Sequence, residues 1–187
     1  MKLRPEGVSL KVGSKGPSLE GKTVPVLRRP EVSDGAKISA LANSCEPLDG
    51  NSAYSYLLLC HHFADTCSVV ELDGEIVGFL SGYLPPDREG VFFVWQVAVD
   101  PRMRGRGFGK LLIREVLRRP ALTNCRFMET TITPSNEISR RLFRSLARDL
   151  EARCSVSSCF SEEDFGQENH EAEDLFCIGP LQLERVI

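Results

Sequence analysis

The densest chemistry in the chain lies between Val97 and Lys110, which reads Val-Ala-Val-Asp-Pro-Arg-Met-Arg-Gly-Arg-Gly-Phe-Gly-Lys. An alternating apolar strand runs into a turn rich in glycine and arginine, and the amphipathic run Leu111 to Leu117 follows at once. Glycines let a backbone approach a ligand and aim successive N–H groups at it, and a helix that starts there adds the positive end of its dipole. The segment predicts a cradle for an anion, with pyrophosphate as the natural guest. Two common phosphate loops do not fit it. A P-loop would need glycine at Arg104 and a hydroxyl at Leu111, and the dinucleotide fingerprint would place its third glycine on Lys110.

Other residues offer acid–base and binding chemistry. Glu129 sits inside an otherwise apolar segment, either as a buried acid or as an outward member of the alternation Phe127, Glu129, Thr131. Asp49 lies in the turn-like string Leu-Asp-Gly-Asn, where it either closes an Asx-turn or holds an ammonium group. Trp95, the only tryptophan, suits a pocket wall, a cation contact or the core. Tyr54 faces either a site or the core, and His170 either completes a site across a loop or sits in solvent.

Composition narrows the partners. With 187 residues the chain has the size of one domain, and its net charge of −3 argues against nucleic acid as an obligatory partner. The basic patch from Arg102 to Arg106 suits a small polyanion better than a duplex. No apolar run approaches the roughly 20 residues of a membrane helix and no secretory h-region opens the chain, so we expect a soluble, cytoplasmic protein without a membrane partner. The seven cysteines contain no C-x-x-C pair and read as reduced thiols. A metal set built from Cys60, His61, His62 and Cys67 is not expected, because adjacent helical ligands diverge and no second pair completes a tetrahedron.

The elements that must position these residues follow from periodicity and turn signals. Residues 1–22 lack periodicity and read as a mobile arm, leaving residues 23–187 as one domain. A short strand over Val24 to Leu27 precedes a helix capped by Ser33 or Asp34, and a second helix runs from Tyr54 to Phe63. Asp73-Gly74 joins the strands Ser68 to Leu72 and Ile76 to Tyr83 as a hairpin. Pro85 to Gly90 is a polar connection to a strand over Val91 to Val99, and a helix to about Arg119 follows the glycine turn. A strand over Phe127 to Ile132, a helix opened by Asn136 and closing strands at Ala152 to Ser158 and Leu175 to Ile178 complete an α/β fold, a mixed sheet covered by helices.

Arg104, Gly107 and Gly109 satisfy Arg/Gln-x-x-Gly-x-Gly/Ala, which resembles the coenzyme A signature of the GCN5-related N-acetyltransferases; a frame starting at Arg102 also matches. The element order from about Val24 to Pro180 is similar to that fold. Four further strings resemble the diaminobutyrate-acetylating branch of the family: Pro47 to Tyr54, Trp95 to Val99, Glu129 to Pro134 with Asn136, and His170 with Ile178-Gly179-Pro180. The resemblance implies acetyl transfer from acetyl-CoA to the 4-amino group of L-2,4-diaminobutyrate, on the route to ectoine, by direct attack without an acyl-enzyme. It implies that Val97, Ala98 and Val99 line the pantetheine arm beside Asn136, which is otherwise a helix cap. Arg104, Gly105, Arg106, Gly107, Phe108, Gly109 and Lys110 would hold the pyrophosphate. Asp49, Tyr54, Trp95, Glu129 and His170 would bind the amine, and the family usually forms homodimers.

An amine of lysine type titrates near about 10.4, so the acceptor must lose a proton before attack. Glu129 is the preferred catalytic base, with Asp49 holding the other ammonium or the two roles exchanged. One departure from the family concerns the acid that protonates the leaving thiolate: Phe143 stands where many members carry a tyrosine. The competing expectations are an acetyltransferase for another small amine or a protein N-terminus, and a non-catalytic acetyl-CoA-binding module.

Overall fold

The computed structural model describes residues 24–45, 48, 50–167 and 169–183. The arm expected over residues 1–22 and the candidate Asp49 lie outside the described residues.

The hairpin is the simplest local event. Asp73 (φ 54°) and Gly74 (φ 79°) both take left-handed backbone, as a two-residue turn between right-twisted strands requires, and join β2 (Ser68–Leu72) to β3 (Glu75–Tyr83). β1 (Val26–Arg28) pairs antiparallel with β2, and β4 (Val91–Val99) pairs antiparallel with β3. β5 (Phe127–Ile132) then runs parallel to β4, as a strand reached through a helical crossover must. The last strand, β7 (Glu173–Gly179), inserts between β5 and β6 (Arg153–Phe160), giving the order β1-β2-β3-β4-β5-β7-β6.

Helices cover both faces. α1 (Gly35–Asn43) and α2 (Ala53–His62) bury Ile38, Leu41, Tyr56 and Leu59 against Val69, Phe79 and Ala98. On the other face α3 (Phe108–Leu117) and α4 (Glu137–Asp149) bury Leu112, Ile113, Phe143 and Leu146 against Leu80, Phe92, Val94 and Phe176. Asp34, expected as a cap, instead turns to Arg28 (2.6 Å) and to the Glu31 N–H (2.7 Å), closing a short 3-10 turn that leads into α1. The arginine supplies two charged hydrogen bonds, more than one helix N–H offers.

Two irregularities shape the centre of the sheet. The β3–β4 register steps from Ser81 opposite Gln96 to Gly82 opposite Val94, so Trp95 is the extra residue of a β-bulge. Only glycine fits at position 82, because a Cβ there would lie 2.5 Å from the Phe92 ring and 2.7 Å from the Phe93 carbonyl. The bulge resets the alternation: Val94 faces α3 and α4, and so do Val97 and Val99, while Ala98 faces α1 and α2. The second irregularity is a split. β4 and β5 pair only at Val91↔Phe127, Phe92↔Met128 and Phe93↔Glu129, and beyond that point they diverge.

Candidate functional site

The split has a cleft on each side of the sheet. On the α3/α4 side, the bonds of the turn after β4 fix its shape. Asp100 accepts the Arg102 N–H (2.8 Å) and its guanidinium (2.7 Å), which uses Arg102 within the turn and leaves the frame that begins at Arg104 to face the cleft. Gly105 (φ 77°) and Gly107 (φ 83°) are left-handed, and a Cβ at either would meet nothing within 4 Å. The turn is therefore an open cradle of backbone amides, and Gly107 is the N-cap of α3.

This cavity has a volume of about 340 Å³. Of the residues assigned to the cofactor from the sequence, Val97, Val99, Arg104, Gly105, Gly107, Phe108, Gly109, Lys110 and Asn136 line it. Two expected residues do not: the Ala98 side chain packs on the opposite face, and Arg106 is exposed outside the lining. Lys110 borders the cavity, but its ammonium donates to Ser145 Oγ and Asp149 Oδ2, both at 2.7 Å, and holds the Asp149 carboxyl below the usual carboxylate range. It fastens α3 to α4. Beyond Phe93 the β5-facing edge of β4 has no ladder partner, so its backbone groups are available to an extended ligand.

The second cleft, of about 800 Å³, opens on the α1/α2 side, over β4, β5 and β7. Trp95 walls it, 42% exposed, with Tyr83, Phe93 and Thr131. His170 also lines it. Its ring stacks on Phe165 with centroids 3.9 Å apart, Nδ1 donates to the Glu171 carbonyl at 2.6 Å, and Nε2 lies 3.9 Å from Glu173 Oε1. The Ser135 hydroxyl donates to the Glu171 carboxylate, which ties this segment to the start of α4. Leu48 and Gly50, the described neighbours of Asp49, also line the cleft.

Glu129 requires a correction. The side chain is 4% exposed and is not part of the cleft lining; Oε1 accepts a 2.6 Å bond from Arg88 Nη2, and Oε2 has no hydrogen-bond partner. The cleft wall is Arg88, from the connection between β3 and β4. A carboxylate engaged by a guanidinium and covered by it is poorly placed to take a proton from a ligand. Tyr54 is likewise not brought to the site, being 67% exposed on the first turn of α2 and lining neither cleft. Tyr56, two residues on, is fully buried and donates to Gln96 Oε1 at 3.2 Å, presenting Gln96 at the cleft. Sequence reasoning missed Arg88, Gln96, Glu173 and Cys159 among the lining residues.

A small gap of about 50 Å³ lies between the diverging strands, bordered by Trp95, Gln96, Val97, Thr130 and Thr131. Leu48 and Asn136 border the gap and both clefts. Asn136 Oδ1 accepts the Ser139 N–H at 3.1 Å, so the residue does cap α4, and its amide hydrogens are the part left to a ligand. Among the described residues, no group of three or more His, Cys, Asp or Glu side chains is arranged to hold a metal ion, and no helix is long and apolar enough to cross a membrane.

A cradle for a phosphorylated donor on one face, an acceptor cleft on the other and a split strand pair between them define a transferase of the acyl-coenzyme A type. Comparison with known proteins agrees: the acetyltransferase (GNAT) family model matches residues 36–147, and the chain belongs to that family. It is 46% identical over 156 residues to the L-2,4-diaminobutyric acid acetyltransferase of Shouchella clausii, covering 83% of this chain and 87% of that protein. The Halomonas elongata protein of the same name is 44% identical over 161 residues, 86% of this chain and 83% of its own. Among solved structures, the diaminobutyrate acetyltransferase of Paenibacillus lautus, in complex with L-2,4-diaminobutyric acid and coenzyme A, superposes with a TM-score of 0.82. It is 41% identical, over 84% of this chain and 96% of that one.

Proposed function

We propose that this protein transfers the acetyl group of acetyl-CoA to the 4-amino group of L-2,4-diaminobutyrate, giving N4-acetyl-L-2,4-diaminobutyrate. The observation that carries the proposal is the pair of clefts meeting at the β4–β5 split, with Asn136 bordering both. The likeness to relatives bearing that activity supports the choice of acceptor. Arg104 and the amides from Gly105 to Gly109 suit the pyrophosphate, and the unpaired edge of β4 suits the pantetheine arm.

In the reaction, the amine nitrogen bonds to the acetyl carbon, the carbon–sulfur bond breaks, the amine proton passes to a base and the thiolate takes a proton. His170 replaces Glu129 as our candidate base, since its imidazole lines the cleft, stacked on Phe165 and approached by the Glu173 carboxylate at 3.9 Å. Phe143 is buried and has no proton to give, so the thiolate is protonated from water. The reading includes a homodimer, supported by the outer strand β6, where Val156 and Phe160 are 40% and 45% exposed. It also includes a reducing, cytoplasmic setting, which suits the Cys60 and Cys67 thiols that burial pushes up to about 11 and about 12.

The test follows coenzyme A release with diaminobutyrate, ornithine, lysine, spermidine and an N-terminal peptide in parallel. Diaminobutyrate should give the highest kcat/KM; ornithine or the peptide ahead of it overturns the assignment.

A further inference from the structure

The mechanism leaves one conspicuous group unused. Arg88 is the only arginine or lysine lining the acceptor cleft among the described residues. It comes from the connection between β3 and β4, its side chain is 46% exposed, and it is anchored from below by Glu129, whose side chain is 4% exposed. Burying a carboxylate in a sheet is costly unless a partner compensates it, and here the partner is itself the surface a ligand meets. A guanidinium has five N–H donors in one plane. The single 2.6 Å bond from Nη2 to Glu129 holds the fork in place and leaves further donors for a second carboxylate.

Position adds a second observation. Glu129 pairs in register with Phe93, two residues before Trp95, where the strands have parted. At about 3.3 Å per strand residue, the gap, whose near border is Val94 and Thr130, begins about 3 Å beyond the Glu129 position, and Trp95 lies about 7 Å beyond it. In diaminobutyrate, four bonds of about 1.5 Å join the carboxylate carbon to the 4-nitrogen, an extended span of about 5 Å. With its carboxylate on Arg88 beside Glu129, an extended acceptor of that span has the length to set its 4-amine within the gap, while the 2-amine, attached beside the carboxylate, stays on the Arg88 side.

We propose that Arg88, held in place by Glu129, receives the α-carboxylate of the acceptor and thereby selects both the amino acid and the nitrogen that is acetylated. Arg88 is then a binding residue and Glu129 a positioning residue. The inference rests on the acceptor being a diamino acid.

The test compares L-2,4-diaminobutyrate with 1,3-diaminopropane, the same molecule without its carboxylate, in the wild-type protein, Arg88→Met, Arg88→Lys and Glu129→Gln. Kinetics and calorimetric binding are read together, so an amine that binds without reacting still reports. The wild type should favour diaminobutyrate by about 10- to 100-fold, the range of a charged hydrogen-bonded pair. In Arg88→Met that ratio should collapse towards one, and Arg88→Lys should restore part of it. Glu129→Gln should raise KM for diaminobutyrate more than it lowers kcat. An Arg88→Met protein that loses both amines in equal proportion overturns the proposal and leaves Arg88 as a structural partner of Glu129. A Glu129→Gln protein with unchanged KM and abolished kcat for both amines overturns the positioning role and returns Glu129 to the chemistry. A wild type inert towards diaminobutyrate is a different failure, that of the acceptor assignment itself.

Discussion

Asn136 has two roles in the structure, and substitution separates them. Its Oδ1 caps α4 through the Ser139 N–H at 3.1 Å, while the residue borders the donor cleft, the acceptor cleft and the gap. Asn136→Ala removes both the acceptor and the amide donor. Loss of a cap costs about 1 kcal/mol, which for a domain of this size lowers Tm by about 2–4 °C. Loss of a neutral hydrogen bond to a ligand costs about 0.5–1.5 kcal/mol, a two- to tenfold rise in KM for acetyl-CoA. Asn136→Asp keeps an acceptor at a helix N-terminus, where negative charge is favourable, so Tm should hold. It lacks the donor and sets a charge beside the donor cleft, so KM should rise at least as far as in the alanine variant. Thermal melts and initial rates over an acetyl-CoA series measure the two effects separately. The reasoning is refuted if Asn136→Asp restores both Tm and KM, because Asn136 would then be a cap and nothing more.

Three further outcomes are expected. Gly107→Ala puts a side chain into open space at φ 83°, so its cost is backbone strain alone, about 1–2 kcal/mol; it should raise KM for acetyl-CoA and leave KM for the amine in place, as an amine and acetyl-CoA titration will show. The Asp34 carboxyl is held below its ordinary range by the hydrogen bond from Arg28, against an opposing effect of burial. Its stabilising contribution is therefore present above the ordinary carboxylate pKa of about 3.9 and lost as pH falls below it; Asp34→Asn should flatten the acid limb of a Tm–pH curve, and an unaltered limb would count against it. Cys159 is exposed and lines the acceptor cleft, although burial raises its thiol pKa. Iodoacetamide should label it before Cys60 and Cys67, and saturating diaminobutyrate should slow that labelling; equal rates with and without the amine would place the acceptor elsewhere.

Much of the fold was legible because its signals are local. The Asp-Gly hairpin, the bounds of β4 and β5 and the glycine turn each depend on residue types within a few positions of one another. The order of the last two strands was not, since nothing within β6 or β7 states that β7 inserts beside β5. The bulge at Trp95 escaped notice for a similar reason: its cause is the close packing of Gly82 on Phe92 across the strand pair. In the site, the donor cradle could be read from spacing, whereas the acceptor residues depended on orientation. Tyr54 and Tyr56 stand two apart on α2, nearly opposite one another around the helix, and a helix carrying Leu57, Leu58 and Leu59 in a row gives no clear phase. Glu129 was correctly suspected of being buried. Its partner lay 41 residues away in a polar connection that local pattern marks only as a turn.

The central claim is that the split between β4 and β5 delivers the 4-amine, and no other, to the acetyl group. The most direct measurement is the carbon–proton correlation spectrum of the product formed from acetyl-CoA and L-2,4-diaminobutyrate. The account predicts a single product whose acetyl carbonyl couples through the amide to the C4 methylene. An N2-acetyl product, a mixture of the two, or no product with diaminobutyrate would contradict it.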